Sequence, residues 1–150
     1  MKLIALGSLC FWIFAGCGMV TAGPSTAAVF KAMLSNATLS GTWAPMAHGA
    51  IGSDKQDGYH IVRADQLEGK NWRVVSRVKY QGKMVDFPIP VEMHFAHDAA
   101  VMVLTNVPIG DGGTWSARIM FHDDTYSGHW WSPDQTKTGF VSGTITRVAK

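Results

Sequence analysis

From residue 38 onward, apolar and polar residues alternate with a period of two, in runs separated by short clusters of Gly, Asp, Asn, Pro and Gln. That pattern predicts half-buried strands joined by tight turns. Two of the turns fix the pairing register. Gln81-Gly82 is a two-residue hairpin loop, with glycine supplying the positive φ such loops require. It pairs Tyr80 with Lys83, and so sets Val78 opposite Val85, Ser76 opposite Phe87, Val74 opposite Ile89 and Trp72 opposite Val91, all on one face. On the other face Arg77 falls across from Asp86. A one-residue slip would lose both the apolar face and that ion pair. Asp123-Asp124 acts in the same way, setting His122 opposite Thr125, Phe121 opposite Tyr126, Ile119 opposite Gly128 and Ala117 opposite Trp130. His97-Asp98 is a third two-residue turn.

Eight strands follow, near 38–43, 58–65, 71–80, 83–95, 99–107, 114–122, 125–132 and 139–148. No helix separates any consecutive pair, which excludes a parallel βαβ architecture. Residues 27–34 (AAVFKAML) form the one helical stretch, short and rich in helix formers. Eight sequential antiparallel strands predict an all-β fold, an eight-stranded up-and-down barrel preceded by a short helix; a sandwich would need longer crossovers. Pro88 and Pro90, alternate residues of one strand, remove two N–H donors from the same edge, so a bulge or local gap is expected there.

The N-terminal 22 residues depart from this pattern. Lys2 precedes an apolar run over 3–15, too short for a membrane-spanning helix and suited to a secretory signal. Two processing readings stand side by side. Small residues at Val20-Thr21-Ala22 suit cleavage after Ala22; Phe14-Ala15-Gly16-Cys17 resembles a lipobox, which would lipidate Cys17 and tether the protein to a membrane. The expected organisation is a signal over 1–22, an N-terminal segment with the helix over 23–37, and the barrel over 38–150. The expected location is secreted or periplasmic, with a bacterial-type export signal. Both cysteines, Cys10 and Cys17, fall in the signal, so neither a disulfide, a catalytic thiol nor a cysteine-based zinc site is expected in the mature domain.

Composition narrows the function. Thirteen basic and eleven acidic residues give +2 over 150 residues, too even for binding driven by nucleic-acid phosphates. A hydrophobic fraction of 47% with 16% charged residues excludes a disordered tail.

Leu39-Ser40-Gly41-Thr42-Trp43 opens the first strand after the helix, and Arg147 lies near the end of the last. With the strand count, the strand order and the long connection over 44–57, this combination resembles the calycin superfamily of lipocalins, fatty-acid-binding proteins and avidins. The resemblance implies that the Gly41-x-Trp43 motif closes one end of the barrel, that Arg147 packs across the Trp43 indole, and that the 44–57 connection lids the open mouth.

On the predicted inward faces lie Trp72, Phe87, Phe95, Phe121, Tyr126 and Trp130. They either fill a small barrel or line an apolar pocket. Ser76, Asn106 and Arg63 are candidate polar handles, Arg63 because it alternates in phase with Tyr59 and Ile61. The histidines have no shared geometry for a metal: His94 and His97 point to opposite faces, and His129 lies opposite Arg118. Asp123-Asp124 is a turn rather than an acid–base pair, and no serine sits in a nucleophile-elbow context. The expectation is a non-catalytic barrel with neither cofactor nor metal, which binds a small apolar or amphipathic molecule. The alternative is a structural or protease-inhibitor-like envelope module with a filled barrel and a functional N-terminal segment over 23–35.

Overall fold

In the computed structural model, which describes residues 26–109 and 113–147, one helix precedes nine strands. They are α1 (Thr26–Leu34), β1 (Ala37–Ala47), β2 (Ala50–Ile51), β3 (Lys55–Glu68), β4 (Asn71–Tyr80), β5 (Lys83–Ala96), β6 (Ala99–Pro108), β7 (Thr114–His122), β8 (Thr125–Trp131) and β9 (Thr138–Arg147). Each long strand pairs antiparallel with the next, and β9 returns to β1 from Ala37↔Arg147 to Pro45↔Gly139. That last pairing closes an eight-stranded barrel. β2 is a two-residue appendage to the end of β1. The expected signal segment and Cys17 lie outside the described residues.

The hairpin registers follow from the turns. Tyr80 pairs with Lys83 and Trp72 with Val91; His122 pairs with Thr125 and Ala117 with Trp130. Gln81, His97 and Asp123 each adopt a positive φ, of 48°, 57° and 49°, so the tight turns use left-handed backbone at non-glycine positions as well. Arg77 meets Asp86 in a two-pronged contact, with bonds of 2.7 and 3.1 Å.

The proline edge also behaves as its missing donors require. β5 pairs with β4 along Lys83–Glu92, yet with β6 only from Glu92 to Ala96. The stretch holding Pro88 and Pro90 therefore has no ladder to β6, and the barrel wall is parted there.

One end of the barrel is sealed by α1. Phe30 and Leu34, four apart and so on one helical face, are 3% and 1% exposed. The Phe30 ring meets Trp72, Phe95 and Phe121 edge-on, with centroids 5.8, 5.8 and 5.4 Å away. Asn36, at φ 55°, ends the helix in the left-handed conformation common after a last turn. The base plug is thus Phe30.

Two expectations from the calycin resemblance need correction. Arg147 pairs with Ala37 and Trp43 with Val141, six residues along β1, so the two side chains belong to opposite ends of the strand. Arg147 instead bonds the Asp124 carboxylate at 2.8 Å, and the cation over the Trp43 ring is Lys55, 4.6 Å from its centroid. The 44–57 connection is mostly strand: β1 runs on to Ala47 and β3 begins at Lys55, which leaves only a short turn and β2 in place of a lid.

A candidate ligand cavity

Above the aromatic base the barrel encloses a cavity of about 520 Å³. This lies within the roughly 300–1,000 Å³ range of small-molecule sites. Its floor includes Phe121, its walls Leu39, Ile61, Val74, Ile89, Leu104 and Ile119, and its far end Trp43, Trp115 and Trp130. Exposure rises along the same axis. Phe121 and Tyr126 are buried, whereas Trp43, Asp57, Trp115 and Trp130 are half-buried and Tyr59 is 40% exposed. The mouth is therefore the end opposite α1. Trp130 meets Trp43 and Trp115 edge-on at 5.7 and 5.4 Å, which joins three indoles around the opening.

Glycines create the space these rings use. A Cβ on Gly139 would meet the Trp130 indole at 2.7 Å, so Trp130 lies across the next strand where no side chain stands. Tyr126, Gly143, Gly41 and Asp57 form one cross-strand row through β8, β9, β1 and β3. Gly143 and Gly41 themselves approach so closely that a Cβ on either would reach the other's Cα at 2.7 Å. No side chain of that row separates Tyr126 from Asp57. Gly41 thus stands in the β1 alternation between the cavity-lining Leu39 and Trp43.

The polar groups of the cavity are few. Tyr59 donates its hydroxyl to the Asp57 carboxylate, which also accepts the Gly58 amide at 2.9 Å. Burial, the hydrogen bond to Asp57 and the nearby negative charge together push the Tyr59 phenol well above its ordinary range. Burial, and then the Asp57 charge, raise Tyr126 in the same direction. Ser76 donates to the His60 carbonyl at 3.4 Å. Ser116 donates to the Asn106 side chain at 3.2 Å and accepts the Asn106 amide at 2.9 Å. Tyr126 is the exception: its residue is 3% exposed and its buried hydroxyl has no hydrogen-bond partner. A buried donor left unmade costs about 1–3 kcal/mol, which a ligand atom could recover. The Trp72 indole N–H is also unpartnered, but it sits in the aromatic base and not on the cavity.

Of the sequence-predicted residues, Ser76, Phe121, Tyr126 and Trp130 line the cavity together. Trp72 and Phe95 pack beneath it, against Phe30 and each other at 6.1 Å. Phe87, opposite Ser76, is half-buried and outside the lining. Asn106 is exposed at φ 51° in the bulge between Leu104 and Val107, where it holds Ser116 and is not among the residues lining the cavity. Arg63 is exposed and bonds Asp65 at 2.9 Å. A bulge between Ile61 and Arg63 shifts the phase by one, so the inward residues run Tyr59, Ile61, Ala64.

Asp57, Tyr59, Trp115 and Ser116 escaped the sequence reading. The in-phase spacing of Asp57 and Tyr59 with Ile61 was the available signal, masked by placing Asp57 at the end of a loop. Three of the histidines are engaged locally: His94 with Glu92 at 3.3 Å, His122 with Asp98 at 3.2 Å, and His129 with Thr138 at 2.6 Å. Among the described residues, no three acidic, His or Cys side chains are grouped to hold a metal ion.

Compared with family models, curated proteins and solved structures, the chain matches none. The site's chemistry has to be read from its own geometry.

Proposed function

We propose that this protein binds one small amphipathic molecule inside the barrel and does not transform it. The observation that carries this reading is the unpartnered Tyr126 hydroxyl, buried in the wall of a mostly apolar cavity of about 520 Å³. Apolar walls supply burial energy, at about 25 cal/mol per Å² of surface removed from water. A few fixed polar groups then orient the guest. The indoles at the mouth add flat contact surface with little conformational freedom to lose.

The reading extends to an exported carrier or sensor of the calycin kind, in keeping with the signal-like N-terminal segment and the barrel. The alternative module requires a packed interior and a free N-terminal arm. An interior of this volume, and the burial of Phe30 and Leu34 beneath it, favour the ligand reading.

The test is a titration of the folded, ligand-stripped protein with N-phenylnaphthylamine, a neutral dye that brightens in apolar surroundings. Saturable brightening with quenching of tryptophan emission is expected, as is displacement by octanol. Ala117→Phe, which adds a ring to the cavity wall, should abolish the signal while the circular dichroism spectrum stays native. A folded wild-type protein that leaves the dye dark would refute the proposal.

A further inference from the structure

The charges around the cavity are unequal. Among the described residues, Asp57 contributes the one carboxylate to its lining, and no Lys, Arg or His side chain lines it. Lys55 lies at the rim with its ammonium on the Trp43 ring, two residues before Asp57 on β3, and is not part of the lining. The carboxylate keeps acceptor capacity beyond its bonds from Tyr59 and Gly58, because two carboxylate oxygens offer about four lone-pair sites. Across the glycine gap stands the Tyr126 hydroxyl, buried and unpartnered. A hydroxyl can accept as well as donate.

The guest whose head group answers both is one that donates at least two hydrogen bonds and carries positive charge. A carboxylate head would meet Asp57 with like charge at short range and be repelled. An alcohol would offer one hydrogen bond and bring no charge to the carboxylate. A protonated amine donates to Asp57 and to Tyr126 together, and the indoles around the mouth offer their faces to the same cation.

We infer that the cavity selects amphiphiles with a protonated primary or secondary amine head, seated between Asp57 and Tyr126, over the matching alcohols and acids. This rests on the lumen being a binding site, as proposed above. The remainder of the guest is an alkyl or aryl body that packs against Leu39, Ile61, Val74 and Ile119.

A matched series separates the two claims. Octylamine, octanol and octanoate are each used to displace N-phenylnaphthylamine from the wild-type protein and from Asp57→Asn and Tyr126→Phe. On wild type, octylamine should bind about tenfold more tightly than octanol, the scale of one hydrogen bond to a charged group, and octanoate should be weakest. Asp57→Asn should erase the amine preference, so that octylamine binds no more tightly than octanol. Tyr126→Phe should weaken octylamine about fivefold, an independent readout should the Asp57 variant fail to fold. Equal affinities across the series, or a preference that survives Asp57→Asn, would overturn the amine assignment and leave the lumen a binding site. A dye that never binds would overturn both.

Discussion

The backbone amide of Asn36 donates to the carbonyl of Val62 at 3.2 Å. Two residues on, the Ala64 amide donates to the Ser35 hydroxyl at 3.4 Å. These contacts tie the junction between α1 and β1 to the β3 bulge, where the ladder to β4 skips a residue. The helix end thus satisfies backbone groups that the bulge takes out of register, and the bulge turns Arg63 outward.

Arg63 therefore holds nothing in the interior. Its guanidinium is about half exposed and paired with Asp65, which Arg73 also approaches at 3.5 Å. Arg63→Ala should change unfolding free energy by no more than about 0.5 kcal/mol and leave dye binding unaltered. Deleting Val62, the extra residue of the bulge, should leave Arg63 outward opposite Val75 and Ala64 inward opposite Val74, and should cost about 1 kcal/mol through the carbonyl that the Asn36 amide loses. Denaturant unfolding of the two variants checks this; a large loss for Arg63→Ala would mean the side chain faces inward after all.

Phe30 carries the opposite expectation, because it is the ring on which the base converges. Phe30→Ala leaves a cavity beneath Trp72, Phe95 and Phe121 and should cost about 3–5 kcal/mol. The lumen above, walled by other strands, should still take up the dye under conditions where the variant remains folded. A stability loss below about 1 kcal/mol would show that α1 is a loosely attached arm and not a seal.

What could be read in advance depended on how local the determinant was. Strand order and hairpin register followed from two-residue turns and alternation, since an antiparallel pair is specified by the residues beside its turn. The gap at Pro88 and Pro90 was legible for the same reason: a missing N–H is written in the residue itself. The phase of β3 was not, because the bulge at Val62 is set by hydrogen bonds to the Ser35 hydroxyl and from the Asn36 amide, far away along the chain. Nor was the row Tyr126–Gly143–Gly41–Asp57. It exists only once β9 closes on β1, and a glycine in a strand does not announce which ring will lie across it. The expected packing of Arg147 on Trp43 misled for a related reason. It rests on residue types, whereas the end of the barrel at which each one stands depends on register with Val141 and Lys55.

The two lumen tyrosines make alkaline pH the stress to which this fold should answer. Tyr59 and Tyr126 are both held protonated above their ordinary value of 10.0, by burial first and by the Asp57 charge in addition. In the unfolded chain both lose that protection and titrate near 10. Below that pH the folded and unfolded states bind the same phenolic protons, so this contribution to stability is fully present. As pH climbs past 10, the unfolded chain releases protons that the folded chain retains, and stability falls with pH. Tyrosinate absorbance from these residues should appear with unfolding and not before it. Tyr59→Phe, which removes the more strongly shifted phenol, should make the alkaline fall shallower than in wild type. Tyr126→Phe should do so to a smaller degree. Smooth ionisation of both phenols near pH 10 in a protein whose circular dichroism is unchanged would place them in water and not in the lumen.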